Sequence, residues 1–596
     1  MQIRFSKNAR RLALSTISAA VMATLPGLAS AQYTSSNRDV LVPNTGAWST
    51  AGVTLGGTTF VNLGLQGVGR VAANSIDSAT GETLGSISDM QITGFTNNGN
   101  GSWKGTFNFL PDRGYNSGSI YSNYAARINT FDFTFTPYTG TTTTTAQNQI
   151  VMSFTGSTRF TYNSGTAGQV FTTGLLANGI GSLFGGTTVP TTTGNTTQFV
   201  SIGGPASTVN NRLTLDAEGL ILDNRSGKGG SGWVGDEYGA YIYRFDANKQ
   251  LVGQLQLPDA LVPHALDGTV NFDVNVNGRR TNQGMEGIAQ SPDGTKVFAL
   301  LQSATLQDSG SGNQGRSNTR LVVYDVSTTD TPSAPVQEYV IQLPRIDDTG
   351  STSNGTTVNR TGAQSSIVAL NDHQLLILSR DGNGRGNPGS GSPVFKSILL
   401  ADLNGATNIK GLYDGTGAAV TTSGGVLNAS VTPLTWTEAL NLLGKLGLTA
   451  TEIELAKFNL NLNTAPGDIN TISEKWEALG LVPTNDGTGQ YFLFVGNDND
   501  FQTRTGKYLD ASGVLQSYNA GLENDTMVLA YRVAVVPEPE TYALLLAGLA
   551  LVAWPRGAAS RAPDSRNLYV DNAALHARRF QWWPPRQRLA HHSQIA

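Results

Sequence analysis

GMEGIAQSPDGTKVFALLQ, residues 284–302, decides the fold. A carboxylate, Glu286, opens a short apolar segment that runs into the turn residues Pro292, Asp293 and Gly294. Val297 to Leu301 then form an uninterrupted apolar run that ends on the polar Gln302. A run this short, bounded by a turn, suits a strand buried on both faces, and the Asp-Gly pair folds it back on the preceding strand as a hairpin. The turn brings the two open ends together, so Glu286 and Gln302 belong to one rim.

The same unit recurs along the chain. DAEGLI (Asp216–Ile221) leads through a Gly-rich turn to GWVGDE (Gly232–Glu237). KWEALG (Lys475–Gly480) leads through Asn485, Asp486 and Gly487 to FLFVGND (Phe492–Asp498). A weaker version joins Ser88-Asp89-Met90 to FNFLPDR (Phe107–Arg113). Another runs from Ser366-Ile367-Val368 to LILSRD (Leu376–Asp381) and lacks the opening acid. Hairpins arranged in a closed ring protect their strand edges, and a β-propeller is the architecture that repeats them so. The expected fold is therefore all-β, a propeller with long loop insertions, since the spacing between units is irregular. Repetition gathers the polar ends at one mouth of the central channel.

One segment reads differently. Between residues 435 and 458, Thr435 and Thr437 offer caps, and Leu440, Leu442, Leu443 and Leu446 recur at helical spacing, which predicts a helical insertion outside the ring. Thr/Gly-rich stretches such as Thr139–Thr145 and Gly185–Thr197 have too little apolar surface to pack and read as loops.

Composition narrows the chemistry. Only 14% of the 596 residues are charged, and 70 are glycine, which suits short strands and turns. The net charge of −4 leaves no basic footprint for nucleic acid. Cysteine is absent, which excludes a disulfide framework and thiolate ligands. Of five histidines, only His264 and His373 lie in the body, so any metal there must sit among oxygen ligands, as calcium or magnesium do. No Gly-x-Ser-x-Gly elbow supports a serine hydrolase. The GKGGSG stretch (Gly227–Gly232) lacks the spacing of a phosphate loop and reads as a hairpin turn.

Both ends carry targeting text. Residues 1–31 have a basic start (Arg4, Lys7, Arg10, Arg11), an apolar core and the cleavage site Ala29-Ser30-Ala31, the three parts of a secretory signal. The body spans residues 32–535. VPEPET (Val536–Thr541), the apolar run Tyr542–Trp554 and the basic Arg556 and Arg561 follow in residues 536–562. That run would span only about 20 Å as a helix, short of the roughly 30 Å membrane core, so it predicts transient membrane association and no permanent anchor. The order resembles a PEP-CTERM sorting signal, which implies an exosortase-type processing enzyme as partner and export from a Gram-negative bacterium to the extracellular space or cell surface. Residues 563–596 turn abruptly Arg-, His- and Trp-rich, which reads as a shifted reading frame, with a natural disordered tail as the alternative.

The hairpins also carry a resemblance. Asp112-Arg113-Gly114, Glu218-Gly219, DEYGAYIYRFD (Asp236–Asp246), GMEGIAQSPDG (Gly284–Gly294), Arg380-Asp381, Lys475-Trp476-Glu477 and NDNDF (Asn497–Phe501) fall in the order seen in the phytase-like (esterase-like activity of phytase) propeller family. The chain departs from it where Ala478 follows Glu477 and Ser379 precedes Arg380. The resemblance implies hydrolysis of an ester or phosphate ester.

The candidate site gathers Glu218, Asp236, Glu237, Glu286, Glu477, Asp498 and Asp500 as metal ligands, calcium being the suspected ion. Glu218, Glu286 and Glu477 double as catalytic candidates, with Arg113, Arg380 and Lys475 to clamp a phosphoryl group. Carboxylates crowded on one rim repel unless a cation neutralises them. The bland alternative is that each satisfies backbone N–H groups at a blade turn. The leading function is a secreted, metal-assisted phosphoric-ester hydrolase. The alternatives are a non-catalytic propeller that binds extracellular polysaccharide or protein, and a calcium-dependent lactonase-type propeller.

Overall fold

The computed structural model describes residues 52–537, apart from 166, 200–204, 349–357 and 445–453, together with the short strand Asp39–Val40. The signal reading of residues 1–31, the sorting segment from 538 onward and the tail lie outside the described residues.

Five antiparallel blades form a propeller. Their inner strands are Asp89–Asn97, Ala217–Leu222, Met285–Gln290, Ala363–Ala369 and Lys475–Pro483. Each neighbours the next around the axis, and the last packs back against the first. The first four blades build outward from consecutive stretches of chain, the second gaining Thr161–Asn163 and Gln169–Phe171 at its edge. The fifth is composite: the late strands Lys475–Pro483, Tyr491–Asp498 and Thr526–Pro537 are completed by the early strand Thr58–Val71. Pairing across the two ends of the body closes the ring without leaving that blade's sheet open.

The core follows from this arrangement. Five large apolar clusters lie one at each interface between adjacent blades, and three smaller ones lie under the loops. A single strand feeds two of them: Phe298 and Leu300 face the fourth blade, while Val297, Ala299 and Leu301 face the second. Both faces are buried, which is why residues 297–301 read as a continuous apolar run and do not alternate with polar residues. Trp233 and Trp476 are fully buried core residues.

The helical expectation for residues 435–458 is corrected over the described part. Thr435–Asn441 is the outermost strand of the fourth blade, paired with Lys396–Asp402. Trp436 faces the third blade and Leu440 the fifth, a bulge between Glu438 and Leu440 having switched the face, so apolar residues at these positions suit a bulged strand buried on both sides as well as a helix. Pairing with a blade that offered a free edge decided between them. Leu442 and Leu443, just beyond the strand, enter the cluster between the fourth and fifth blades. Helical character among the described residues here is limited to the short 3-10 turn Ala456–Phe458.

Candidate functional site

Four of the five inner strands begin with the same irregularity. Pairing with the second strand slips at Glu218, between Ala217 and Gly219, and likewise at Glu286, Ser365 and Glu477. Such a bulge inserts one unpaired residue and re-aims its side chain, here toward the axis. In the second and third blades a glycine follows the bulge and lets adjacent blades approach closely: a Cβ on Gly219 would lie 2.7 Å from the Glu286 carbonyl oxygen. The fourth blade supplies Ser365 where three others supply glutamate.

The bulges bring Glu218, Glu286 and Glu477 together, with one carboxylate oxygen from each lying within 4.8 Å of the others. Two further acidic trios meet the same 4.8 Å limit, Asp112 with Asp216 and Glu218, and Asp112 with Asp498 and Asp500. Asp112 thus joins the glutamates to the pair at the end of the fifth blade's second strand. Neither Asp112 nor Asp216 stood among the predicted ligands. Both had a signal in the repeat: Asp112 follows the second strand of its hairpin as Asp498 ends its own, and Asp216 precedes a bulge glutamate by two residues.

Cations line the wall. Arg113 pairs with Asp216 and also donates to Asn282 Oδ1 at 2.5 Å. Arg380 pairs with Glu477 and donates to Ser365 Oγ at 3.1 Å. Lys475 reaches Asp500 at 2.6 Å and Asp498 at 3.1 Å. Asp381, next to Arg380, is consumed by Lys396 and by the backbone amides of Val394 and Phe395.

Burial governs the protonation of the cluster. Desolvation first, then the neighbouring carboxylates, push Glu218, Glu237 and Asp112 well above the usual carboxylate range. Glu286 is raised in the same way by burial and by Glu477, against a hydrogen bond from Gln302. Burial lifts Glu477 to about 7 although Arg380 and Lys475 oppose it. Asp500 rises to about 6 for the same first reason. Asp498 is the exception: burial works to raise it, but Lys475 and the Asp500 amide hold it below its ordinary value.

Around the mouth, three buried carboxylate oxygens have no hydrogen-bond partner: Asp216 Oδ1, Glu237 Oε1 and Glu286 Oε2. Buried polar atoms are normally paired, so these orphans are where a cation or a substrate proton would be received. Asp236 behaves differently. Like Glu237 it lies outside all three trios, but its carboxylate is satisfied, accepting the backbone N–H groups of Asp216, Tyr238 and Gly239 at 2.9–3.1 Å. His264 and His373 stand elsewhere, engaged with the Val262 carbonyl and the Asp372 carboxylate.

The description of the phytase-like family (esterase-like activity of phytase) matches residues 84–501, which contain the five inner strands and the whole acidic cluster. A secreted protein of Arthroderma benhamiae is 30% identical over 484 residues, 76% of this chain and 89% of its own length. Among solved structures, a luciferin-regenerating enzyme aligns over 78% of this chain and 95% of its own at 10% identity, with a TM-score of 0.24. A putative 6-phosphogluconolactonase from Bacteroides uniformis aligns over 77% and 90% at 9% identity, also with a TM-score of 0.24. At that level of superposition they add nothing to the fold described above. With the family match covering residues 84–501, all five inner strands and the site included, the chain belongs to the phytase-like family.

Proposed function

We propose that the protein is a secreted hydrolase of phosphoric esters whose acidic cluster holds a hard divalent cation, calcium by preference. The observation that carries the reading is the convergence of Glu218, Glu286 and Glu477 from three separate blades to within 4.8 Å. The donor set fits such an ion, because it is made of oxygens alone and includes orphaned ones. When bound, the cation would polarise a phosphoryl oxygen and ease deprotonation of a nearby water. Burial and Glu477 raise Glu286 above the usual carboxylate range, and its unpartnered Oε2 is the oxygen open to the cation. Glu477, at about 7, can accept or release a proton near neutrality. Arg380 fixes its orientation, and Arg113 does the same for Asp216.

Secretion is supported by the signal-like residues 1–31 and by the secreted relative. Processing by an exosortase-type enzyme, transient membrane association through residues 542–554 and display near extracellular polysaccharide of a Gram-negative cell belong to the same proposal. Intact mass from the native host should then show a mature chain beginning at Gln32 and cut in the sorting segment. An unprocessed secreted species would remove the sorting part.

The activity test is a screen of the purified protein on p-nitrophenyl phosphate, phytate, simple carboxylic esters and lactones, with calcium and with EDTA. Phosphate release that EDTA abolishes and calcium restores is expected. No turnover of any of these substrates would favour a binding propeller.

A further inference from the structure

The three cations that the sequence offers for a phosphoryl group are already engaged. Arg113 is paired with Asp216, Arg380 with Glu477, and Lys475 with Asp498 and Asp500. An incoming oxyanion would have to break one of those buried pairs, which is costly because the carboxylate left behind stays desolvated.

A different cavity begins on the far side of Arg380, between the third and fourth blades, with a volume of about 200 Å³. Arg316 and Arg360 line it, with Gln283, Ser303 and Asn313 as neutral donors. The Arg316 Nε is buried and has no hydrogen-bond partner. Burial first, and then the neighbouring Arg360, disfavour charge on Arg316, while Arg280 is disfavoured by burial and by Arg316 in turn. Arg360 gives its Nε to Asp348 at 2.6 Å and keeps Nη1 near Gly382, on the cavity wall. Asp381 also lines the space, but Lys396 and two backbone amides occupy its carboxylate. The cavity therefore has an excess of guanidinium over free carboxylate, in a shape a small anion can enter.

Two of its lining residues reach through to the acidic cluster. Arg380 binds Glu477 and Gln302 hydrogen-bonds Glu286, so the cavity and the three glutamates share one wall. Guanidinium forks match the paired oxygens of a phosphoryl group, and an unpaired buried donor gains most from an anionic acceptor. We propose that this cavity is the oxyanion subsite of the channel mouth and receives the phosphoryl group of the substrate through Arg316 and Arg360. The assignment rests on the hydrolase reading for the identity of the ester, though not for the presence of an oxyanion site.

Inorganic phosphate is the probe, titrated by calorimetry into the mature full-length protein in EDTA, so that no cation in the acidic cluster can recruit it. Wild-type protein should bind phosphate. Arg316→Gln should weaken binding by roughly tenfold or more, the usual loss of a charge-assisted hydrogen bond. Arg504→Gln, an exposed arginine elsewhere, should bind as wild type does. Arg316 is only half-buried, and an unchanged melting temperature without phosphate would verify that the variant folds. Absence of phosphate binding in the wild type, or binding by Arg316→Gln within twofold of it, overturns the subsite. The two proposals fail separately. Ester turnover with the KM unchanged in Arg316→Gln would sink the subsite and spare the hydrolase, whereas phosphate binding lost in Arg316→Gln with no turnover in wild type would do the reverse.

Discussion

Gly219 shows how a single residue sets the geometry of the mouth. A Cβ there would meet the Glu286 carbonyl oxygen at 2.7 Å and Ile288 Cγ1 at 2.8 Å, and the carbonyl belongs to a paired strand that cannot turn aside. Gly219→Ala should therefore separate the second and third blades at the axis, destabilise the protein by about 1–3 kcal/mol and weaken calcium binding as well. Denaturant unfolding and a calcium titration check it; lost stability with unchanged calcium affinity would mean that the glutamates do not depend on this approach. Protonation acts at the same scale. Glu477 and Asp236 are raised to about 7 and Glu474 to about 8, chiefly by burial. Between the ordinary carboxylate value of about 4 and these raised ones, the folded chain binds protons that the unfolded chain has released, so stability falls as pH rises. Asp498, held low, acts in the opposite sense only below that window. In EDTA the melting temperature should drop from pH 5 to pH 8, and calcium should flatten the drop by replacing the protons. A melting temperature that climbs over this range in EDTA would contradict the assignment.

Among the elements, the hairpins were legible and one strand was not. GMEGIAQSPDGTKVFALLQ carries its turn and both of its strands in local chemistry, and the structure pairs Met285–Gln290 with Lys296–Leu301 as that chemistry requires. The bulge at Glu286 left no such mark, because a slipped register depends on how strands meet around an axis and not on the residues flanking the slip. Thr435–Asn441 was misread for a related reason: its partner, Lys396–Asp402, is distant in sequence, and the bulge between Glu438 and Leu440 breaks the alternation that would have marked a strand. The strand assignment has a consequence. Trp436 is 2% exposed and donates its indole N–H to the Gln342 carbonyl at 2.8 Å. Trp436→Ala should cost about 3–5 kcal/mol, as expected for an aromatic removed from a core. A loss below about 1 kcal/mol would fit an external insertion instead.

At the scale of the whole molecule, the blade number and the composite fifth blade could not be read from the repeats, because Thr58–Val71 pairs locally with only the three-residue Val53–Leu55 and joins its blade through the distant Thr526–Pro537. Glu218, Glu286 and Glu477 were readable as a set because each opens a repeat, while Asp112 and Asp216 stand just outside that position. The closed ring is what turns these separate residues into one site, since equivalent starts of inner strands must face a common axis. That convergence is the central claim, and Glu286 is its test, because it belongs to the trio and carries an unpartnered buried oxygen. Thermal unfolding of wild type and Glu286→Gln, each in calcium and in EDTA, measures it most directly. A cation held jointly by the three glutamates predicts that calcium raises the wild-type melting temperature and that Glu286→Gln loses most of this rise, with little change between the two proteins in EDTA. Equal destabilisation by Glu286→Gln in calcium and in EDTA would contradict it and leave the glutamate with a purely structural role.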